Sequence, residues 1–378
     1  MTMRLGRRIL SAGCAMSSRM ARLRPVIHLI PAEPFGGLQR IVIELVRAQR
    51  AAGRPADIVL MEPSPRVEAE CRAEGIVPAV LAGPKLRRMW MLRRILKSSK
   101  GAILHSHCEP IWATIIVSTL GSTLRSRWII HVHVYARQMT RRDRIGHYLY
   151  HRGAGRFLAI TGSVGNSYLA LRIADTERLD IVPNGLRYPP LTPPPRRDGP
   201  FVFGFVGRTV RIKGLFDFIA VADLLRADSD IRFLIAGEGE DMVEARRQIE
   251  TLGLQDRIEI LGFVDTMAPV WAQLDMLAML TDREPFGLVI LEAITAGVAV
   301  LGYDAPSGGR EVMASISGCT LVEPFDLIAA AEVVRAAARN RAGLRDEVAA
   351  GAETVRDLYS IEGMEHLVAA SYARLDEA

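Results

Sequence analysis

The chain has 378 residues, of which 49% are apolar and 24% are charged. This length exceeds one average domain, and the composition is typical of globular proteins rather than of disordered or fibrous chains. No run of about 18 uncharged apolar residues occurs, so the sequence predicts no membrane span. The net charge of +6 permits an anionic substrate or an anionic lipid surface as a partner but does not choose between them.

The four cysteines lie far apart and form no Cys-x-x-Cys pair. This distribution argues against a disulfide framework or a zinc ribbon and favours a cytoplasmic location.

Residues 1–24 carry six arginines and no acidic residue. Their apolar residues form no signal-peptide core, so we interpret them as a disordered basic extension, with a transit-like or membrane-touching arm as the alternative.

From residue 25 onward, short apolar runs alternate with stretches of helical periodicity. Residues 25–30 are predicted to form a strand, which is followed by the Gly36-Gly37 turn and a helix that extends to about Gly53. Repeated strand–helix alternation predicts a doubly wound, Rossmann-like domain over residues 25–187. Its other predicted strands are residues 57–61, 103–107, 128–133 and 156–160.

A proline-rich segment at residues 188–199 separates this domain from the next. Proline lacks an N–H donor and fixes its own φ angle, so we expect a linker there. The alternation then restarts and predicts a second α/β domain over residues 200–355. Residues 356–378 have helix-compatible spacing and are expected to form a closing helix that packs back on the first domain. The predicted strands of the second domain are residues 201–206, 231–236, 257–261, 276–280 and 298–301.

The most informative motif is Glu284-Pro-Phe-Gly-Leu-Val-Ile-Leu-Glu292, between an apolar run and a new strand. Its two acids frame a predicted helix start, where free backbone N–H groups and the helix dipole favour a phosphate. Gly287 allows that phosphate to approach the backbone closely. In a continuous helix the two carboxylates would lie about 12 Å apart and about 80° apart around the axis, so they suit separate parts of one ligand.

This motif resembles the Glu-x7-Glu signature of the retaining glycosyltransferases of family 4. The resemblance continues through residues 205–214, 235–239, 262–264 and 308–312, and it covers nearly the whole chain after residue 24. It implies a GT-B fold, in which two Rossmann-like domains face a cleft. It also implies that a sugar is transferred from a nucleotide-diphosphate donor with retention of configuration.

The resemblance assigns roles to the residues of the motif. Glu284 is expected to contact the donor sugar, and Glu292 is expected to bind the ribose hydroxyls. The backbone amides of Phe286, Gly287 and Leu288 are expected to contact the sugar–phosphate region.

Two bases follow the strand-ending Gly207, and the resemblance implies that Arg208 and Lys213 bind the diphosphate. Cleavage of the sugar–phosphate bond accumulates negative charge on the departing diphosphate, and fixed cations stabilise that charge. Outside this pattern, both residues would be ordinary surface bases on a strand–helix connection.

In the first domain, Gly36 and Gly37 match the family's glycine loop, which approaches donor and acceptor. The loop follows the carboxyl end of the first predicted strand, where ligands bind in open α/β sheets. Many relatives have Glu where this chain has Gln39.

Two His-x-His pairs, His105/His107 and His131/His133, end predicted strands, and strand alternation points both members of a pair to one face. Such pairs can bind zinc, but no acidic third ligand accompanies either, so we interpret them as strand-end and core histidines. The resemblance implies an active-site role for the position of His133, near the reacting sugar and the acceptor.

Neither a metal nor a cofactor is expected. Asp228-Ser-Asp230 imitates the metal-binding Asp-x-Asp of another glycosyltransferase class. It precedes a strand, whereas a metal–diphosphate site is expected just beyond a strand end, so we interpret it as a polar loop.

Basic residues of the first domain are candidates for contact with anionic lipid. One helix carries Lys85, Arg87, Arg88, Arg93, Arg94 and Lys97, and a second group, Arg137, Arg141, Arg142 and Arg144, follows His133. The bases of the helix are scattered around its axis, so a peripheral membrane face and a solvated helix are equally good interpretations.

We therefore expect a retaining hexosyltransferase that uses a UDP-, GDP- or similar nucleotide sugar, with a carbohydrate or lipid-linked acceptor in surface polysaccharide, lipopolysaccharide or glycolipid assembly. One alternative is a non-catalytic nucleotide-sugar or membrane-binding protein of the same fold. A nicotinamide-dependent oxidoreductase is disfavoured because no G-x-G-x-x-G turn occurs. A nucleic-acid binder is disfavoured because the bases lack an aromatic stacking platform.

Overall fold

The computed structural model describes residues 23–33, 36–99, 101–107, 127–136, 154–189 and 199–375. The basic extension up to residue 22, residues 190–198 of the expected linker, and the arginines between residues 137 and 144 lie outside these ranges.

The first sheet contains seven strands in the order β3-β2-β1-β4-β5-β6-β7, all paired in parallel. Every residue of β1, β4 and β5 is buried, as expected for central strands of a parallel sheet. We call the unit built on this sheet, residues 23–189, the first lobe. Its strands are β1 Val26–Ile30, β2 Ala56–Leu60, β3 Ala79–Val80, β4 Ile103–Ser106, β5 Trp128–Val132, β6 Arg156–Ala159 and β7 Leu179–Ile181.

Hydroxyl side chains cap the starts of two helices of the first lobe, α2 and α4. The Ser64 hydroxyl accepts a hydrogen bond from the Val67 amide, and the Thr161 hydroxyl accepts one from the Val164 amide. Each side chain therefore satisfies a donor that the first turn leaves free. Within the described ranges of this lobe, the helices are α1 Gly37–Ala51, α2 Pro65–Ala73, α3 Lys85–Ser98 and α4 Gly162–Ala170.

The second sheet contains six parallel strands in the order β10-β9-β8-β11-β12-β13. The rings of Phe203, Phe218 and Phe233 pack together beneath it. We call residues 199–358 the second lobe. Its strands are β8 Phe201–Val206, β9 Ile231–Ala236, β10 Ile258–Gly262, β11 Met276–Met279, β12 Ala299–Tyr303 and β13 Cys319–Val322. Its helices are α5 Leu215–Leu224, α6 Met242–Thr251, α7 Ala268–Trp271, α8 Leu288–Thr295, α9 Gly308–Met313, α10 Leu327–Arg339 and α11 Arg341–Leu358.

The chain returns to the first lobe at its C-terminus. Helix α11 ends at Leu358, and a new helix, α12, spans Ile361–Ala373 and packs against α1. The Leu186 amide donates to the Tyr359 carbonyl over 2.8 Å, and the Ile361 amide donates to the Leu186 carbonyl over 3.0 Å. The predicted packing of the closing helix on the first domain is therefore confirmed, but the helix begins at Ile361 rather than at residue 356. The break is set by Ser360, whose hydroxyl accepts from the Gly363 amide.

These two doubly wound sheets confirm the predicted fold class. Parallel strands present their carboxyl ends on one edge, and that edge carries the loops in which ligands bind in open α/β sheets. In both lobes the residues of the predicted site lie on this edge.

Candidate active site

The loops after β8 and β11 bring opposite charges together in the second lobe. Lys213 Nζ lies 2.7 Å from Glu284 Oε2, and the Glu284 side chain is almost fully buried. Arg208, in the same loop as Lys213, is exposed, and its side chain has no hydrogen bond or ion pair to any residue that the structure describes. The loop starts at Gly207, whose φ of +145° is readily adopted only by glycine. Among the described residues, this loop thus carries one guanidinium without a partner and one ammonium that is paired with a carboxylate.

Helix α8 begins beside this pair. Gly287 precedes its first residue with a left-handed φ of +86°, which favours glycine. Within the described part of the chain, no hydrogen-bond acceptor faces the backbone amides of Phe286, Gly287 and Leu288. Free amides at a helix start form an anion site. The Phe286 ring instead packs edge-on against Tyr359, 5.8 Å away, so only its backbone belongs to the site.

Helix α8 starts at Leu288, so Glu284 lies outside it and Glu292 lies inside it. The spacing of about 12 Å that a continuous helix would impose on the two carboxylates therefore does not apply. Glu284 is held in its own loop because its carbonyl accepts from the Gly309 amide over 2.9 Å.

Glu292 faces the first lobe. Arg40 Nη1, from α1, donates to Glu292 Oε1 over 2.6 Å. Burial raises the pKa of the Glu292 carboxyl, and the charge of Arg40 opposes that rise. Gly37 lies so close to Leu288 that a Cβ atom on Gly37 would come within 2.7 Å of a Leu288 methyl carbon. The glycine loop therefore borders the start of α8.

Gln39 holds the glycine loop in place. The Gly36 amide donates to Gln39 Oε1 over 2.9 Å, and Gln39 Nε2 donates to the Pro31 carbonyl over 3.1 Å. An ionised glutamate at this position would supply only acceptors and could not make the second bond. Gln39 is 2% exposed, so in this chain it is a buried support of the loop.

The first lobe also contacts the Glu284 loop through side chains that the sequence analysis did not select. The Tyr135 hydroxyl donates to the Glu284 carbonyl over 3.2 Å and accepts from the Gly308 amide over 2.8 Å. The Thr161 hydroxyl donates to the Pro285 carbonyl over 3.1 Å. Tyr135 and Thr161 each lie just beyond the carboxyl end of a strand. This position is the one feature of the sequence that could have marked them as candidate site residues.

A carboxylate of the second lobe caps a helix of the first. Glu311 of α9 accepts hydrogen bonds from the amides of Gly162 and Ser163, at 2.9 and 2.5 Å. An acid at this helix start is favoured by the helix dipole and by the free amides. The lobes therefore meet around the predicted donor site.

Five histidines form a column on the carboxyl-end side of the first sheet. Neighbouring rings in the column have centroids 4.2 to 5.4 Å apart. The two predicted pairs therefore come together. His28 was not predicted because it is a single histidine within an apolar strand. The members are His28 of β1, His105 and His107 of β4 and its end, and His131 and His133 of β5 and its end.

Burial keeps these rings neutral. It lowers the pKa of His28 to about 4 and the pKa of His133 to about 3, and it places the pKa values of the other three well below the ordinary value. Neighbouring histidines lower the pKa values of His105 and His107 further, since like charges repel.

The column contains two groups that have the composition of a metal site. Ring nitrogens of His28, His105 and His107, and of His107, His131 and His133, lie within 4.8 Å of one another. The third ligand missing from each His-x-His pair in the sequence is thus supplied by a histidine of a neighbouring strand. By contrast, Asp228 of the Asp-x-Asp sequence is bound to Arg335, with 3.0 Å between Nε and Oδ2.

Two family models match the chain, one in each lobe. The model described as "Glycosyltransferase Family 4" matches residues 35–187, and that described as "Glycosyl transferases group 1" matches residues 192–354. Together they cover every described strand except β1. The chain belongs to glycosyltransferase family 4.

Among the relatives of this glycosyltransferase is the 2-deoxystreptamine N-acetyl-D-glucosaminyltransferase of Streptomyces fradiae, 26% identical over 92% of this chain and 86% of that protein. A second is the D-inositol 3-phosphate glycosyltransferase of Pseudarthrobacter chlorophenolicus, 27% identical over 76% of this chain and 79% of that protein. The crystal structure of Anabaena Alr3699/HepE in complex with UDP is 16% identical and superposes with a TM-score of 0.78 over 93% of this chain and 100% of that one. The fold is GT-B. No helix within the described ranges is long and apolar enough to cross a membrane.

Proposed function

We propose that this glycosyltransferase takes a hexose from a nucleotide-diphosphate sugar and transfers it with retention of configuration. The observation that carries the proposal is the cluster at the carboxyl ends of β8 and β11: the Lys213–Glu284 pair, the unpaired Arg208 and the three free amides at the start of α8. The UDP complex of the Anabaena protein, which shares the fold, supports a nucleotide diphosphate as the leaving group.

Each charged group has a role in this proposal. Arg208 and Lys213 bind the diphosphate together with the amides of Phe286, Gly287 and Leu288. When the donor binds, Lys213 exchanges the Glu284 carboxylate for a phosphate oxygen, and Glu284 then accepts hydrogen bonds from the sugar. Fixed cations and oriented amides stabilise the charge that develops as the sugar–phosphate bond breaks.

Glu292 binds the ribose hydroxyls in this proposal. Its present partner, Arg40, is on the opposite lobe and is 60% exposed, so the guanidinium can move aside at little cost. Gly36, Gly37 and Gly207 keep the backbone free of side chains around the bound donor.

The proposed reaction is a front-face substitution. The bond between the anomeric carbon and the phosphate oxygen breaks, and the bond to the acceptor oxygen forms on the same face. The acceptor proton passes to the departing phosphate oxygen, so the step requires no protein nucleophile. Because protein cations and amides neutralise the diphosphate, we propose that it also requires no divalent metal.

The acceptor has two candidate classes. The relatives that match most of this chain are named for 2-deoxystreptamine and inositol 3-phosphate, which are small polyhydroxylated rings. They favour a small polyol acceptor. A lipid-linked acceptor in surface polysaccharide or glycolipid assembly is favoured by the surface of α3.

Helix α3 carries six bases and no acid, and two of its large apolar side chains are exposed, Leu86 by 79% and Trp90 by 59%. Cations together with exposed apolar groups suit the interface of an anionic membrane. We propose that α3 attaches the enzyme to such a surface from the cytoplasmic side.

Vesicle sedimentation tests this attachment. Wild-type protein is expected to sediment with anionic phosphatidylserine vesicles, to remain free with neutral phosphatidylcholine vesicles, and to be released by salt. Trp90→Ala should weaken sedimentation, whereas Val243→Ala, a matched exposed apolar residue in the second lobe, should not. Binding that ignores both lipid charge and salt would refute the proposal.

A screen of nucleotide sugars tests the central proposal. Each donor is incubated with the enzyme alone, with inositol phosphate or 2-deoxystreptamine, and with a membrane extract, and the released nucleotide is detected by mass spectrometry. One donor is expected to be hydrolysed slowly and to be consumed faster with one acceptor class. The anomeric configuration of the product, read by NMR, distinguishes retention from inversion. Release of nucleotide from no donor would overturn the proposed function.

A further inference from the structure

A continuous line of hydrogen bonds runs through the first sheet, from helix α1 to the edge of the cleft. Gln49 Oε1 lies 2.8 Å from His28 Nε2, and His28 Nδ1 lies 2.9 Å from His107 Nε2. His107 Nδ1 then lies 3.0 Å from His133 Nε2. Gln49, His28 and His107 are buried, and only His133 retains partial exposure. The chain therefore has a closed end at Gln49 and an open end at His133.

The closed end sets the direction of every hydrogen bond. Gln49 directs its carbonyl oxygen, Oε1, at His28, and its Nε2 donates to the Tyr372 hydroxyl over 3.1 Å. A carbonyl oxygen only accepts, so His28 carries its proton on Nε2 and accepts at Nδ1. A neutral imidazole has one N–H. Because His28 Nδ1 only accepts, the next ring, His107, must donate to it from Nε2.

The requirement ends at His133. His107 donates from Nε2 to His28 and accepts at Nδ1, so His133 donates from Nε2 to His107. The remaining nitrogen, His133 Nδ1, then carries a lone pair, and it has no hydrogen-bond partner in the described part of the chain. Burial lowers the pKa values of all three rings, which excludes a doubly protonated ring that would break the sequence of donors and acceptors.

We propose that Gln49, His28 and His107 are positioning residues, which act through one hydrogen-bonded chain to present His133 Nδ1 to the cleft as an acceptor. The group that it would receive is a hydroxyl of the sugar or polyol bound there, a role that rests on the proposed function. His133 lies two residues before Tyr135, whose hydroxyl bonds to the Glu284 carbonyl, so the segment that carries His133 also contacts the Glu284 loop.

The same nitrogens do not suit a metal ion in this arrangement. In each candidate metal group two of the nitrogens lie 2.9 or 3.0 Å apart as a donor and an acceptor, whereas two ligands of a tetrahedral zinc lie about 3.4 Å apart at bond lengths of about 2.1 Å. The rings of His105 and His107 are stacked at 20°, so their lone pairs run side by side rather than converge. A hydrogen-bonded chain accounts for the two short nitrogen–nitrogen distances.

The experiment is histidine-selective ¹⁵N and ¹³C NMR, which separates the two neutral tautomers. In the wild-type protein His28, His107 and His133 are expected to carry the proton on Nε2. In Gln49→Leu, His28 loses its acceptor, and all three rings are expected to reverse together to the Nδ1–H tautomer, because a buried donor without an acceptor is costly. Gln49→Glu keeps an acceptor beside His28 and should keep the wild-type tautomers.

Ser106→Ala is the matched control. Ser106 is buried between His105 and His107 on the other face of β4, and its hydroxyl accepts from the Trp128 indole over 3.0 Å. Its loss removes a buried hydrogen bond beside the chain and should leave the three tautomers unchanged. If the wild-type rings carried Nδ1–H, if Gln49→Leu left them unchanged, or if the purified protein held one zinc per chain on these rings, the proposal would be overturned.

A kinetic measurement tests the role in the cleft. With the donor identified by the screen, Gln49→Leu should lower kcat for donor hydrolysis by up to about tenfold at unchanged donor KM, the worth of one hydrogen bond. Ser106→Ala should not. A tautomer reversal without a change in kcat would confirm the chain and reject its role in the reaction, whereas no hydrolysis by the wild-type enzyme would reject the proposed function and leave the NMR result standing.

Discussion

The candidate groups of the second lobe, Arg208, Lys213 and Glu284, are charged side chains in the loops that follow strands. The candidate groups of the first lobe are the neutral histidine rings of the column. No histidine occurs between residues 200 and 355, and five of the six histidines that the structure describes belong to that column. Charged groups in loops act through their charge on a bound anion. Buried imidazoles act through the direction of their hydrogen bonds, which is lost as soon as one ring is protonated. The two halves of the cleft should therefore fail under different perturbations.

The largest expected difference is in acid. A buried histidine with a lowered pKa binds fewer protons when folded than when unfolded, so its contribution to the free energy of unfolding falls as pH drops below the unfolded value of 6.5. For His28 the fall continues to about pH 4, at about 1.4 kcal/mol per pH unit. We expect the first lobe to lose amide protection between pH 6.5 and 4 while the second lobe keeps it. Hydrogen exchange with mass spectrometry, corrected for intrinsic rates, checks this, and earlier loss in the second lobe would contradict it.

Arg208→Ala is expected to impair the catalytic function of the second-lobe site. It removes a cation from the place where the diphosphate gains charge, so kcat should fall by about 10²- to 10³-fold at saturating donor. The control is Arg211→Ala, a second exposed base of the same loop, whose guanidinium lies over the Phe216 ring. Steady-state kinetics of both variants, with kcat compared at saturating donor, check this prediction. A folded Arg208→Ala enzyme with near-normal kcat would show that the diphosphate binds elsewhere.

Glu292→Ala is expected to have a smaller effect of a different kind. Ribose binding contributes equally before and during bond breaking, so its loss should raise donor KM by about ten- to a hundredfold with little change in kcat. Arg40→Ala, which removes the partner of Glu292 but keeps the carboxylate, should leave donor KM close to that of the wild type. Equal effects of the two variants would assign the carboxylate to the contact between the lobes rather than to the donor.

The smallest expected effect is that of a chelator. Because the proposed partners of the diphosphate are Arg208, Lys213 and the backbone amides at the start of α8, transfer should be unchanged after dialysis against EDTA. Parallel assays with added Mg²⁺ or Mn²⁺ serve as controls. Complete loss of activity that is restored by either ion would reverse this prediction.

Local pattern was sufficient to predict the central strands, and short motifs were sufficient to select the second-lobe candidates. All ten predicted strands are present, because buried parallel strands are continuous apolar runs that stand out against polar helix surfaces. The three that were not predicted, β3, β7 and β13, are edge strands of two to four residues, with too few apolar positions to show a period. Arg208, Lys213, Glu284 and Glu292 could be proposed as site residues because they lie in two short segments that resemble motifs of the family.

The first-lobe site was not accessible in this way. His28 is separated from His107 by 79 positions, and Gln49 is separated from Tyr372 by 323, yet each pair is hydrogen-bonded. Tyr135 and Thr161 reach the Glu284 loop only because the lobes face each other. Strand order and the packing of α12 on α1 bring these side chains together, and neither is encoded in the spacing of residues along one segment. Local sequence specifies the elements and the charges they carry, whereas the direction of hydrogen bonds between strands depends on which strands become neighbours.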